Sequence, residues 1–144
     1  MSDPVYELYA IKYGHHARRA SENFIGGDPH DGPMPLDFFV WLARSPERTF
    51  VIDIGFSEEV ARKRERQFIR SPAEGLRLLG VEAARVRDVV ITHLHYDHVG
   101  NFAAFPEARF HLQDKEMAYA TGRHMRHKAF SAAFEVDEVV GMVS

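Results

Sequence analysis

A layered α/β fold, one mixed β-sheet with flanking helices, is what this amino-acid sequence predicts. Apolar β-like runs come first, and helical patterns then alternate with further strands. The 144 residues suit a single domain, and no repeat, linker or low-complexity tract divides them. A domain of that length buries roughly 68–70% of its unfolded surface, so one continuous core is expected.

Val5 to Tyr13 alternates apolar and polar residues loosely and reads as the first strand. The stretch GGDPHDGPMP, residues 26–35, holds three glycines and three prolines, a density that breaks regular structure. Phe38 to Leu42 and Thr49 to Ile52 read as two buried strands joined by the turn SPER at 45–48, hence a hairpin with Phe38 to Trp41 in the core. Ser57, followed by Glu58 and Glu59, opens a helix whose positive end faces the carboxylates. Ser71-Pro72-Ala73-Glu74 is a capping-box pattern with proline at the first helical position. That helix sets Leu76 and Leu79 on one side and stops at Gly80. Asp88 to Thr92 is a short strand, Phe110 to Leu112 another, and Asp114 caps a helix running to Gly122. Val136, Val139, Val140 and Val143 fall at i, i+3, i+4 and i+7, the apolar stripe of an amphipathic helix.

Composition narrows the chemistry. The net charge of -3 gives no electrostatic footprint for nucleic acid, and no apolar run approaches the ~20 residues that span a bilayer. The opening Met-Ser-Asp-Pro-Val-Tyr lacks a basic-then-apolar leader pattern, so a cytoplasmic location is expected. There is no cysteine, which removes disulfides, thiol nucleophiles and thiolate metal sites. Any metal must be held by His, Asp or Glu.

The segment His93-Leu94-His95-Tyr96-Asp97-His98 gathers such ligands, directly after the apolar Val89 to Ile91. A lone histidine after a strand reads as a surface residue. Three histidines and a carboxylate in six positions read as a metal site. His93 and His95 are two apart and share a face of an extended chain, while Asp97 and His98 follow where the chain turns toward Gly100. One ion held by the first pair and a second by Asp97 and His98 gives two divalent metal ions, zinc by preference, with manganese, iron or cobalt also suited. Two adjacent metals make a bridging hydroxide available at neutral pH without a serine or cysteine nucleophile.

These residues carry a resemblance. His93-x-His95-x-Asp97-His98, with Gly100 behind it, looks like the signature of the metallo-β-lactamase superfamily. The run FVIDIG at 50–55 resembles that family's upstream strand and Asp-x-Gly turn, which implies that Asp53 orients the site from behind the ligands. Ile54 stands where the family usually carries Thr or Ser. The segments ENFIGGDPHDGPMPLDFFVWLA and FPEARFHLQDKEMAYATG look most like the N-acyl-homoserine-lactone lactonase branch.

The resemblance implies an αβ/βα sandwich of two similar halves, of which this chain matches the first. It implies a metal-dependent hydrolase that opens a lactone or another small-molecule ester with a metal-bridging hydroxide, Asp97 orienting the reactants or shuttling a proton. A glyoxalase-II-like thioesterase, a β-lactamase and a non-catalytic metal-binding half-domain are the alternatives. Further ligands, a His, a bridging Asp and a last His, are expected downstream of Ser144. The expectation is a truncated domain, or one completed by a C-terminal half or by a homodimer partner covering its open sheet face.

Local histidines are weaker candidates. His111 reads as a sheet-face residue, and His124 and His127 as a solvated basic turn. His15, His16, Arg18 and Arg19 read first as a surface loop and second as an anion contact. His30, Asp31 and Met34 belong to a loop that either overhangs the metals or simply connects. Phe24 and Met34 are candidates for an acyl pocket, and Tyr96 is expected to pack locally.

Overall fold

The computed structural model describes residues 4–144. A six-stranded sheet runs β4-β1-β2-β3-β5-β6, formed by β1 (Glu7–His16), β2 (Leu36–Arg44), β3 (Thr49–Ile52), β4 (Gln67–Phe68), β5 (Asp88–Val90) and β6 (Arg109–His111). The β1–β2, β1–β4 and β2–β3 pairs are antiparallel, whereas β3–β5 and β5–β6 are parallel. The expected hairpin is there. Ser45 N–H donates to the Arg48 carbonyl at 2.8 Å and closes the turn.

Two helices cover one face of the sheet. α2 (Glu58–Lys63) starts at Ser57, whose hydroxyl accepts from Val60 N–H. α3 (Pro72–Leu78) starts at Ser71, whose hydroxyl accepts from Glu74 N–H. Each cap satisfies an amide that helix geometry leaves unpaired. α3 lies against β1 so closely that a Cβ on Gly75 would stand 2.4 Å from the Ile11 side chain. Beneath them Ile11, Tyr13, Phe38, Val40, Leu42, Val51, Leu76 and Val89 form the core. Truncating a fully buried residue such as Leu76 to alanine would cost about 2–5 kcal/mol.

The other face corrects the expectation of two wholly buried strands. Phe39 and Trp41 alternate with Phe38, Val40 and Leu42, and are 36% and 45% exposed. By register they share a face with Leu8, Ala10 and Ile52, because Trp41 lies opposite Ala10 and Ile52. A strand covered by helices on one face only must alternate in burial, and the apolar run hid that alternation.

The remaining elements are short: α1 (Ala20–Asn23), α4 (Tyr96–Val99), α5 (Asp114–Ala120), α6 (Lys128–Ser131) and α7 (Val136–Gly141). Asp114 is the first residue of α5 and not its cap; Gln113 holds that position, with no side-chain bond. The valine stripe of α7 also departs from expectation. Val136, Val140 and Val143 are exposed, and Glu138 is buried in their stead. Among the described residues no helix is long and apolar enough to cross a membrane.

Candidate metal centre

The parallel pairing of β3 and β5 brings two turns together at the ends of these strands. Ladder bonding continues past β3, with Asp53 N–H donating to the Val90 carbonyl at 2.8 Å. Asp53 then takes a positive φ of 61° and Gly55 one of 66°. A non-glycine residue in that region is strained, and such strain is found where a side chain must be aimed. Asp53 is 3% exposed, and its carboxylate is fully engaged. It accepts from Thr92 N–H at 2.8 Å, from the Thr92 hydroxyl at 2.9 Å and from His98 Nδ1 at 2.7 Å.

The four motif residues are gathered just beyond. Leu94 is wholly buried, so His93 and His95 on either side turn the other way, with ring centroids 4.5 Å apart. The turn into α4 carries His98 to 4.0 Å from the His93 ring, and places Asp97 Oδ2 3.4 Å from His98 Nε2. Burial, then the neighbouring imidazoles His98 and His95, hold His93 below the usual histidine range. Burial does the same for His95. His98 behaves oppositely: burial pulls it down, but Asp53 and Asp97 outweigh burial and raise it to about 9. Burial raises the Asp97 carboxyl, yet the His98 contact lowers it further, leaving a net depression.

The donor set suits a divalent cation. His93 and His95 are kept neutral with lone pairs available, as imidazole ligands must be. His98 presents Nε2 toward Asp97 while Asp53 holds Nδ1, the carboxylate–histidine arrangement that fixes a ligand's tautomer and direction. As the side chains stand, no three His, Asp or Glu among the described residues form a group that could hold an ion.

Several supporting groups were not evident from the pattern. Tyr13 sits at a β-bulge between Lys12 and Gly14, which aims its hydroxyl at the Asp97 carbonyl, 2.5 Å away. Asn101 Nδ2 donates to the Ile54 and Gly55 carbonyls at 2.7 and 3.1 Å, and Gly100 N–H donates to the Gly55 carbonyl at 2.6 Å. Leu94 N–H is taken by Glu116 Oε1 at 2.9 Å, and the Phe134 ring stands edge-on to His95 at 4.9 Å. Thr92 and Asn101 were not singled out, and their place beside the motif is the one signal that could have found them. Tyr13, Glu116 and Phe134 are remote in sequence and carried no local signal. Ile54 brings no hydroxyl; it is wholly buried, and Thr92 supplies the hydroxyl that meets the Asp53 carboxylate.

The other candidates lie apart from this cluster or have partners of their own. His111 is bound to Asp88 at 2.9 Å, and His124 and His127 pack around Phe130. His15 pairs with Asp37 at 2.7 Å, His16 with Arg66 at 3.0 Å, and Arg19 with Asp31 at 2.7 Å. Arg18 reaches the Glu22 carbonyl. The loop holding His30, Asp31 and Met34 is tied to residues 18–23, and among the described residues no hydrogen bond joins it to the motif. Phe24 and Met34 are both exposed. Tyr96 packs locally as expected, stacked on Phe56 with its hydroxyl accepting from Arg66 Nε at 3.0 Å. A cleft of about 560 Å³ lies elsewhere, among Arg48, Glu82 and Arg87, at the start of β5 rather than its histidine end.

The mixed sheet thus has helices on one face and ends in a His-x-His-x-Asp-His turn backed by a buried aspartate, the fold and motif of one protein superfamily. The chain belongs to the metallo-beta-lactamase superfamily, whose family model matches residues 36–141. It is 32% identical over 107 residues to an N-acyl homoserine lactonase of Azorhizobium caulinodans, covering 65% of this chain and 40% of that protein. It is 41% identical over 44 residues to a probable metallo-hydrolase of Mycobacterium tuberculosis, covering 31% of this chain and 14% of that protein. Among solved structures, a quorum-quenching N-acyl homoserine lactone lactonase superposes with a TM-score of 0.68 at 21% identity, over 90% of this chain and 55% of that one. A probable metal-dependent hydrolase from Staphylococcus aureus gives 0.72 at 16% identity, over 99% and 59%. The chain therefore spans well under two thirds of the relatives it matches.

Proposed function

We propose that this chain is the N-terminal part of a hydrolase that uses two divalent metal ions, zinc by preference, to open a lactone of the acyl-homoserine type. One observation carries the reading: His93, His95, Asp97 and His98 converge while a buried Asp53 holds His98 from behind. When bound, such cations lower the pKa of water toward ~7 and polarise an ester carbonyl. His93 and His95 would hold one ion, and Asp97 and His98 the other.

The residues of the chain do the rest. Asp53 and Thr92 fix the His98 ring. Tyr13 holds the Asp97 carbonyl within α4 and Asn101 ties the chain after α4 to Ile54, so the Asp97 carboxylate is presented from a rigid turn. Asp97 is depressed below the usual carboxylate range and is ionised at neutral pH; it would take up the proton lost by the attacking water and pass it to the ring-opened alkoxide. The site is open on one side, as is the sheet face bearing Phe39 and Trp41. A C-terminal half, or a second copy of the chain, would cover that face and supply the remaining ligands and the substrate wall.

The lactone reading draws on the lactonase of Azorhizobium caulinodans, 32% identical over 107 residues. Parallel assays of the longer protein on an acyl-homoserine lactone, a glutathione thioester, a β-lactam and a phosphodiester test it. Lactone turnover should dominate and vanish on chelation. Dominant thioester turnover would favour a glyoxalase-II-like enzyme, and full turnover after exhaustive metal removal would exclude the metal mechanism.

A further inference from the structure

α7 is seated the wrong way round for its sequence. Its valines Val136 and Val140, and Val143 just past its C-terminal end, are 75%, 53% and 70% exposed, while Glu138 is 9% exposed on the inward side with Val139 and Met142. The Glu138 Oε2 atom is buried without a hydrogen-bond partner. An unpaired buried carboxyl costs free energy, and an exposed valine stripe forgoes burial, so both halves of this arrangement are unfavourable. Successive helical residues stand about 100° apart, and a roll of about that size would turn the valines in and Glu138 out.

The surroundings define a pivot and a contact. The chain leading into α7 is pinned: Arg64 donates to Glu135 Oε1 at 2.7 Å, to the Ala132 carbonyl at 2.9 Å and to the Phe134 carbonyl at 3.3 Å, and Lys63 reaches Glu135 at 2.5 Å. Beyond Glu135 the helix rests on the turn after His98. A Cβ on Gly100 would lie 2.8 Å from Glu138 Oε1, and 2.9 Å from the Gly55 carbonyl. Glu138 thus presses on the junction of the two turns that carry Asp53 and His98. The charged groups acting on it are Glu135 at the helix start, Lys63 at the end of α2 and Arg64 just after it, and Asp97 from α4.

We propose that α7 is a two-position lever on the metal-bearing turn: pivoting at Glu135, it either seats Glu138 over Gly100, as seen, or rolls to bury Val136, Val140 and Val143 and frees that turn. The unpaired Glu138 carboxyl is then what weakens the seated position and keeps the rolled one within reach. Metal binding, which needs a fixed His98, selects the seated position; this last link rests on the metal reading above.

Methyl relaxation dispersion on the metal-free 144-residue chain, labelled at valine and methionine, tests the lever directly. The methyls of Val136, Val140 and Val143 should share one exchange rate that core Val40 and Val89 lack. Glu138→Leu, which removes the unpaired carboxyl, should abolish the exchange. Val136→Ser, Val140→Ser and Val143→Ser together should abolish exchange at Met142 by removing the rolled seat, since serine and valine differ little in helix propensity. Zinc titration supplies the coupled readout: Glu138→Leu should bind tighter by the reciprocal of the seated fraction measured in the wild type. Flat dispersion in the wild type, or exchange unchanged in both variants, overturns the lever. Zinc binding equal in wild type and Glu138→Leu, with the rolled seat populated, overturns its coupling to the site. A failure of every variant to bind zinc would count against the metal reading, while the metal-free dispersion still decides the lever.

Discussion

His98 Nδ1 lies 2.7 Å from the Oδ2 atom of Asp53, a residue forty-five positions earlier, held at a positive φ of 61°. The strain at Asp53 is repaid by three hydrogen bonds that aim one imidazole. Replacing Asp53 with Asn keeps the volume but weakens the hold on the His98 ring. Zinc affinity should fall by about 10–100-fold, the range typical of carboxylates behind a metal-bound histidine. Isothermal titration checks it; an unchanged affinity would mean that Asp53 serves the fold alone.

Tyr13 makes a second, separable contribution. Its hydroxyl donates to the Asp97 carbonyl from a bulged strand, and its ring packs on Phe56 at 4.7 Å. Burial, followed by the Asp97 charge, pushes the phenol well above its ordinary range, so it remains a donor at any working pH. Tyr13→Phe keeps the packing and orphans a buried carbonyl, which should destabilise the chain by about 1–3 kcal/mol. Thermal unfolding measures this.

Gly55→Ala should be worse than an ordinary surface substitution. Gly55 has a φ of 66°, and an added Cβ would stand 2.8 Å from the Tyr13 ring. Backbone strain and overpacking add, each about 1–3 kcal/mol. Denaturant unfolding should show a lower midpoint with an unchanged slope.

The buried Glu138 gives a signed pH effect. Burial, then repulsion from Glu135, raises its carboxyl to about 8, from about 4.5 in an unfolded chain. Between those values the unfolded state binds fewer protons than the folded one, so stability falls as pH rises and levels off above about 8. His98, also raised, adds a loss of the same sign above its ordinary value, so the wild-type slope alone does not isolate Glu138. Glu138→Gln should remove only the Glu138 part, and the stability difference between the two proteins should grow from pH 5 to pH 8. A difference constant across that window would contradict the assignment.

The open sheet face predicts association. Phe39→Ser with Trp41→Ser should reduce self-association of the chain while changing its thermal midpoint little, since both residues are partly exposed and turned away from the helices. Sedimentation velocity of the two proteins is the check.

Much of this was legible in the sequence because it was local. Ser57 and Ser71 announced their helices through cap chemistry, the SPER turn fixed the hairpin, and six consecutive positions held the candidate ligands. What was hidden depends on tertiary context. The run Phe38 to Leu42 looked uniformly apolar because one face is covered by helices and the other bears an exposed apolar surface. The valine stripe of α7 has helical period, yet docking on Gly100 turns it outward. Tyr13 lies 84 positions from Asp97, and only a bulge, invisible to periodicity, joins them.

The most direct test of the whole account is zinc titration of the purified chain, followed by heat and by metal content, in the wild type and in a variant with His93, His95, Asp97 and His98 all replaced by alanine. The account predicts saturable zinc binding by the wild type, lost in the variant while the fold persists. No binding by the folded wild type, or binding that survives the fourfold substitution, would contradict it.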